Sequence, residues 1–243
     1  MTFIKKYIII ILEKIKKRKV VLHMKINQRE IKIEKILTGA NYIGCGASKE
    51  AYSKDEIVYK VPRGRYLIQQ GDFGAKLSYP DTMEKVDSFL EEVANYEEAL
   101  VWPLGQFAIE LIVWETIKQL REEGLEINCF AEIKDYYLDE NGVIVIEQEK
   151  TKEYEYECCS SEDEDERLWN ELTKEIRALQ PILEERFNIK LRDIRDGNCG
   201  IGKDGKLKLF DFGISTTTSL DSYGSYSDYC EDYDEYDYNS YEG

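Results

Sequence analysis

Leu191-Arg192-Asp193-Ile194-Arg195-Asp196-Gly197-Asn198, followed shortly by Asp211-Phe212-Gly213, is the stretch whose reading decides the fold. Between the two pieces, Cys199 to Ile201, a Lys203-Asp204-Gly205 turn and the alternating run Lys206-Leu207-Lys208-Leu209-Phe210 predict a short hairpin. Such a hairpin sets Asn198 and Asp211 side by side at adjacent strand ends. Two oxygen ligands held in this way can share a hard, octahedral cation such as Mg2+, which bridges the phosphates of a nucleotide. Asp193 then faces an acceptor hydroxyl.

An Asp, four intervening residues, an Asn and a later Asp-Phe-Gly resemble, in this order, the catalytic loop and metal-binding motif of the protein kinase superfamily. The resemblance is to the compact protein-kinase-like enzymes of bacteria and their viruses. It implies an α+β, bilobal fold, with an antiparallel-sheet N-lobe over residues 30–148, interrupted by an insertion at 71–105, and a truncated helical C-lobe over 149–218. It also implies ATP and Mg2+ as ligands. Asp193 takes the role of catalytic base, Arg195 that of a basic residue near the transferred phosphate, and Asn198 and Asp211 those of metal ligands. One departure is visible: Leu191 stands where the family usually has His, so a side-chain hydrogen bond to the backbone of the metal motif is missing. The only His of the chain, His23, lies far upstream.

The upstream half of such a fold follows in the expected order. Gly44-Cys45-Gly46-Ala47-Ser48-Lys49 lies between two apolar stretches and reads as a Gly-rich turn between strands. By resemblance Gly44 and Gly46 lie over the phosphates, while Lys49 replaces the usual third glycine. Next, alternation in Ile57-Val58-Tyr59-Lys60-Val61 puts Lys60 on one face with Val58. An isolated lysine placed so is a snorkelling surface residue. After a Gly-rich loop it resembles the kinase lysine that contacts the α and β phosphates and needs an acidic partner. A helix over Gln106 to Leu120 supplies one: Glu110 falls between Phe107 and Trp114 on the apolar face, where a carboxylate needs a counter-charge. Glu115 projects to the polar side and is the weaker alternative.

Cys129 to Leu138 and Val143 to Glu147 read as two strands joined by the turn Asp139-Glu140-Asn141-Gly142. The resemblance places the gatekeeper at Ile146 and the adenine hinge at Glu147-Gln148-Glu149, acting through its backbone. Beyond it, Glu153 to Glu166 is an acidic, solvated loop. Leu168, Trp169, Leu172, Ile176 and Leu179 form a helical stripe that Pro181 breaks or restarts.

Composition bounds the function class. The 243 residues are 42% hydrophobic, enough for a real core, and the net charge of −16 disfavours nucleic acid and anionic membranes as partners. Six cysteines without paired metal spacing fit a reduced, cytoplasmic setting. Residues 1–29 combine basic and apolar residues, with three readings: a docked helix, a basic amphipathic anchor, or upstream sequence before a start at Met24. Residues 219–243 are acidic and Tyr-rich and read as a disordered tail, a candidate for self-phosphorylation.

The expectation from these readings is an ATP-dependent phosphotransferase, in first place a compact serine/threonine protein kinase, since Arg195 sits where such kinases carry a basic residue. Two alternatives stand beside it. A small-molecule kinase acting on aminoglycosides or sugars shares the same carboxylate arrangement. A pseudokinase would use the fold to bind nucleotide without turnover.

Overall fold

Most of the sheet comes from segments whose alternation the sequence makes plain. The computed structural model describes residues 24–65, 77–95, 98–154 and 163–215; the readings made on the basic N-terminal stretch, the centre of the acidic loop and the Tyr-rich tail lie outside them. Six strands form one sheet: β1 (Asn27–Gln28), β2 (Asn41–Cys45), β3 (Lys49–Lys54), β4 (Ile57–Pro62), β5 (Ile133–Leu138) and β6 (Ile144–Glu149), in the order β1-β5-β6-β4-β3-β2. Only the β1–β5 pair is parallel. The β5–β6 turn is closed by Asp139, whose Oδ1 accepts from the backbone N–H of Asn141 and of Val143 at 2.8 Å each, with Gly142 at φ +80°. This is the Asx-type turn that Asp-Glu-Asn-Gly favours.

Four helices accompany the strands among the described residues: α1 (Ile33–Ile36), α2 (Val86–Ala94, after a 3-10 turn at Met83–Lys85), α3 (Glu98–Glu122) and α4 (Asp163–Phe187). The sequence predicted α3 over 106–120 only. Its first two turns run through Pro103 and take in residues 98–105, which the sequence places in the insertion. Phe107, Leu111, Val113, Leu104 and Ile117 are all fully buried, so α3 is enclosed on most sides. It is the one described helix long and apolar enough to cross a membrane, and 78% of its apolar window is buried within the protein. α2 packs on it closely: a Cβ at Gly105 would stand 2.5 Å from Leu90 Cδ2.

α4 carries Leu168, Leu172, Ile176, Leu179 and Leu183 on one buried stripe. Pro181 neither breaks nor restarts it, in contrast to the expectation. An interior proline costs about 3 kcal/mol, but burying Leu179 and Leu183 returns about 1.5–3 kcal/mol each, so the stripe wins.

Residues 129–131 also depart from expectation. They do not begin β5; Cys129 O accepts from Leu209 N at 2.8 Å and Ala131 N donates to Leu209 O at 3.0 Å, which ties them to a second sheet. That sheet has the order β10-β9-β7, with β7 at Lys152–Glu153, β9 at Cys199–Ile201 and β10 at Leu207–Leu209. The β9–β10 hairpin is the predicted one, paired Leu207 to Ile201 and Leu209 to Cys199, with Gly205 at φ +75°. The chain thus leaves the six-stranded sheet at Glu149 and joins the second sheet at Lys152. β8 (Lys190–Arg192) pairs with β11 (Gly213–Ser215). The whole is an α+β protein with an antiparallel-rich sheet.

Candidate active site

β4 delivers Lys60 and α3 delivers Glu110 to the same buried point. Lys60 Nζ donates to Glu110 Oε1 at 2.8 Å and to the backbone oxygen of Phe210 at 2.5 Å. Both side chains are almost wholly buried, so this is no snorkelling lysine. The pair satisfies the rule that a buried charge needs a partner. Glu115 is not involved: its Oε1 accepts from Lys118 and from the Tyr136 hydroxyl.

A second lysine completes the cluster. Lys49 Nζ lies 2.6 Å from Glu110 Oε2 and 2.7 Å from Asp211 Oδ1. The Asp211 contact is a well-formed hydrogen bond, whereas the Glu110 contact is a charge contact whose angles fall short of one. Burial alone would depress the Lys49 ammonium, but Asp211 and then Glu110 outweigh it and hold the ammonium well above its usual range. Asp211 is displaced the other way. Burial raises its pKa, yet Lys49 and then Lys60 bring it down to about 2.

In the sequence Lys49 stands out only as the replacement of the usual third glycine. The signal for its role was strand register. Ala51 pairs directly with Lys60, so both side chains lie on one face of the sheet, and Lys49 lies two residues from Ala51 on that same face.

Asp193, Arg195 and Asn198, read in the sequence as a catalytic loop, form a second knot beside the first. Asp193 has φ +56°, a left-handed conformation that an aspartate tolerates better than most residues. Both donors of the Asn198 side-chain amide point at it: Nδ2 donates to Asp193 O at 2.7 Å and to Asp193 Oδ2 at 2.9 Å. The Asn198 carbonyl oxygen accepts no hydrogen bond among the described residues. Arg195 Nε stands 3.0 Å from Asp193 Oδ1. The two knots are joined through backbone, since Asn198 O accepts from Phe210 N at 2.9 Å and from Asp211 N at 3.4 Å.

The loop is held from behind by α4. Gln180 donates to Ile189 O at 3.1 Å and accepts from Leu191 N at 3.1 Å. Leu191 is buried, and main-chain pairing of Leu191 with Ile214 and of Arg192 with Gly213 joins the segment before Asp193 to the segment after Asp211. This pairing connects the two segments where no His is present. Phe212 packs edge-on to Phe130, with ring centroids 5.7 Å apart.

The donor set suits Mg2+: the Asn198 carbonyl oxygen and the Asp211 carboxylate are hard oxygens on adjoining backbone, and Mg2+ takes one or two such ligands with the rest from phosphate and water. On Asp211, Oδ1 is engaged by Lys49 and by Phe212 N, leaving Oδ2 as the oxygen without a hydrogen bond among the described residues. Around Gly44 and Gly46 a Cβ would meet nothing within 4 Å, so no internal packing demands glycine there. The turn closes through Gly46 N donating to Lys49 O at 2.9 Å.

The hinge reading needs a correction. β6 extends to Glu149, two residues beyond the predicted strand, and it is a central strand. Ile146 pairs with Lys60 and Tyr136, Glu147 with Tyr59 and Asp135, and Gln148 with Val58 and Ile133. Their backbone groups are spent on the ladders and cannot also bind adenine. Their polar side chains mimic a strand end in sequence but find partners: Glu147 accepts from the Tyr137 hydroxyl, and Glu149 Oε1 accepts from Glu132 N and Lys208 Nζ. The crossing between sheets is Lys150-Thr151. There Gly200 is required, because a Cβ on it would stand 2.2 Å from Thr151 Oγ1 and 2.8 Å from Lys152 O.

No protein-family profile matches the chain, and no curated protein does. Among solved structures, it is similar to one titled "PpkA-294 apo form", at 13% identity and a TM-score of 0.37, over 70% of this chain and 56% of that one. The chain therefore spans a little over half the length of that structure.

Proposed function

We propose that the chain is an ATP- and Mg2+-dependent phosphotransferase of the protein-kinase type, with a serine or threonine hydroxyl of a protein as acceptor. The observation that carries this is the continuous run of contacts from Lys60 and Glu110, through Phe210 and Asp211, to Asn198 and Asp193. Lys60, fixed by Glu110, positions the nucleotide phosphates. Asn198 and Asp211 would hold Mg2+, which supplies neutralisation of the charge that develops on the phosphates. Asp193, oriented by Asn198 and Arg195, takes the proton from the acceptor hydroxyl. The acceptor oxygen bonds to the γ-phosphorus, and the bond from that phosphorus to the bridging oxygen breaks, so that ADP leaves with the electron pair. Gly44 and Gly46 give the phosphates close backbone approach.

The test is incubation with γ-labelled ATP and Mg2+, alone, with a mixed protein acceptor and with a panel of hydroxylated small molecules. Label on the chain itself or on protein Ser and Thr supports the proposal. Label confined to small molecules reassigns the acceptor. Mg2+-dependent ADP binding without transfer anywhere makes the chain a binding module.

A further inference from the structure

Lys60 and Lys49 enter the cluster differently. Lys60 touches one carboxylate and a neutral backbone oxygen, whereas Lys49 touches two carboxylates, one of them Asp211, the acidic member of the metal-binding pair. Lys49 is 8% exposed at its side chain, and Ala51 beside it shares the sheet face of Lys60. A cation arriving at Asp211 therefore meets a tethered ammonium already bound to Oδ1, and the two like charges compete for one carboxylate. The incoming phosphates of a nucleotide offer that ammonium another anion.

Resting on the nucleotide-binding reading above, we infer that Lys49 is a second phosphate-binding lysine that doubles as a built-in counter-ion for Asp211. Without metal it leaves Asp211 to hold the nucleotide phosphates together with Lys60. With Mg2+ on Asp211 its contribution is largely replaced, because removing Lys49 also removes the competitor of the metal. Lys49 thereby sets how strongly nucleotide binding depends on Mg2+. Lys60, which does not touch Asp211 and acts on it only by charge at longer range, has a smaller effect of this kind.

The test is calorimetric titration of ADP into the full chain, in EDTA and in saturating Mg2+. Lys49→Gln is expected to weaken metal-free ADP binding at least tenfold and Mg·ADP binding less than threefold. Lys60→Gln weakens both to more nearly the same degree than Lys49→Gln does, and Lys49→Arg keeps the wild-type ratio within threefold. Equal losses with and without metal in Lys49→Gln, or no loss in either, overturn the inference. If Lys49→Gln does not fold, as judged by circular dichroism, Asp211→Asn carries the test. It frees Lys49, so metal-free ADP binding tightens at least threefold; unchanged binding overturns the inference. Absence of any ADP binding by the wild type, with Mg2+ present, refutes the nucleotide reading itself and this role of Lys49 with it.

Discussion

Glu110→Ala removes the carboxylate on which two buried ammonium groups depend. In the native chain Glu110 is 2% exposed, with Lys60 Nζ at 2.8 Å and Lys49 Nζ at 2.6 Å. After truncation Lys60 keeps only the Phe210 carbonyl, and Lys49 keeps Asp211. Removing one partner of a buried pair costs about 3–5 kcal/mol, because the remaining charge is stranded in a medium that solvates it poorly. A second stranded ammonium pushes the value to the upper end, while Asp211, 40% exposed on its side chain, screens Lys49 and moderates it. The expected loss is therefore about 4 kcal/mol, seen as a lower urea midpoint with unchanged slope. It corresponds to a fall in Tm of roughly 8–16 °C for a chain of this size. The cost comes from stranded charge rather than lost volume, so replacing all three partners together, Lys49→Met, Lys60→Met and Glu110→Leu, recovers most of the stability. If Glu110→Ala loses less than 1 kcal/mol, or the triple replacement is no better than the single one, the buried-pair reasoning is refuted.

Three further outcomes follow from the geometry. Asp211 has a folded pKa near 2 against an ordinary 3.8, so its stabilising contribution is full above about pH 4 and fades as pH falls towards 2. Discounted for a side chain 40% exposed, that difference corresponds to about 1 kcal/mol. Urea unfolding of wild type and Asp211→Asn should thus converge by about this amount between pH 5 and 2.5, and parallel curves would contradict it. Gly200→Ala should cost about 1–3 kcal/mol by overpacking against Thr151 and the Lys152 carbonyl; the same mutant with Thr151→Gly should recover part of the loss, and a neutral Gly200→Ala would show that the crossing is not tightly packed. With Cys158, Cys159 and Cys230 changed to Ser, a thiol reagent at pH 8 should label Cys45 first. Cys45 is exposed, while burial pushes Cys199 up to about 12, and burial with Glu175 beside it raises Cys129 further; mass spectrometry reads the order.

The parts legible in sequence were those governed by local rules. The β9–β10 hairpin, the Asp139 turn and the stripe of α4 follow from alternation, turn chemistry and helical spacing, each within a dozen residues or so. Glu110 was legible because a lone carboxylate on an apolar helical face demands a partner, and Lys60 was the charge of opposite sign on a buried strand. What local rules do not carry is which backbone groups become free once the strands assemble. The hinge reading at Glu147-Gln148-Glu149 failed for that reason: three polar residues mark a strand end in isolation, whereas β4 on one side and β5 on the other make this end of β6 central. Lys49 was missed for a related reason. Its place beside Asp211 depends on the β3–β4 register and on a contact across 162 residues of chain, and neither appears in a pattern read one segment at a time. Pro181 and Pro103 show the same limit, since burial along a helix outweighs the local penalty of proline.

Phosphate transfer from γ-labelled ATP by wild type and Asp193→Asn, with the labelled residue mapped by mass spectrometry, tests the central claim most directly. Asn keeps the shape of Asp193 but cannot take the acceptor proton, so the account predicts Mg2+-dependent labelling by wild type that falls about 10²- to 10⁴-fold in the mutant, with Mg·ADP affinity within threefold of wild type. Undiminished transfer by Asp193→Asn would contradict it.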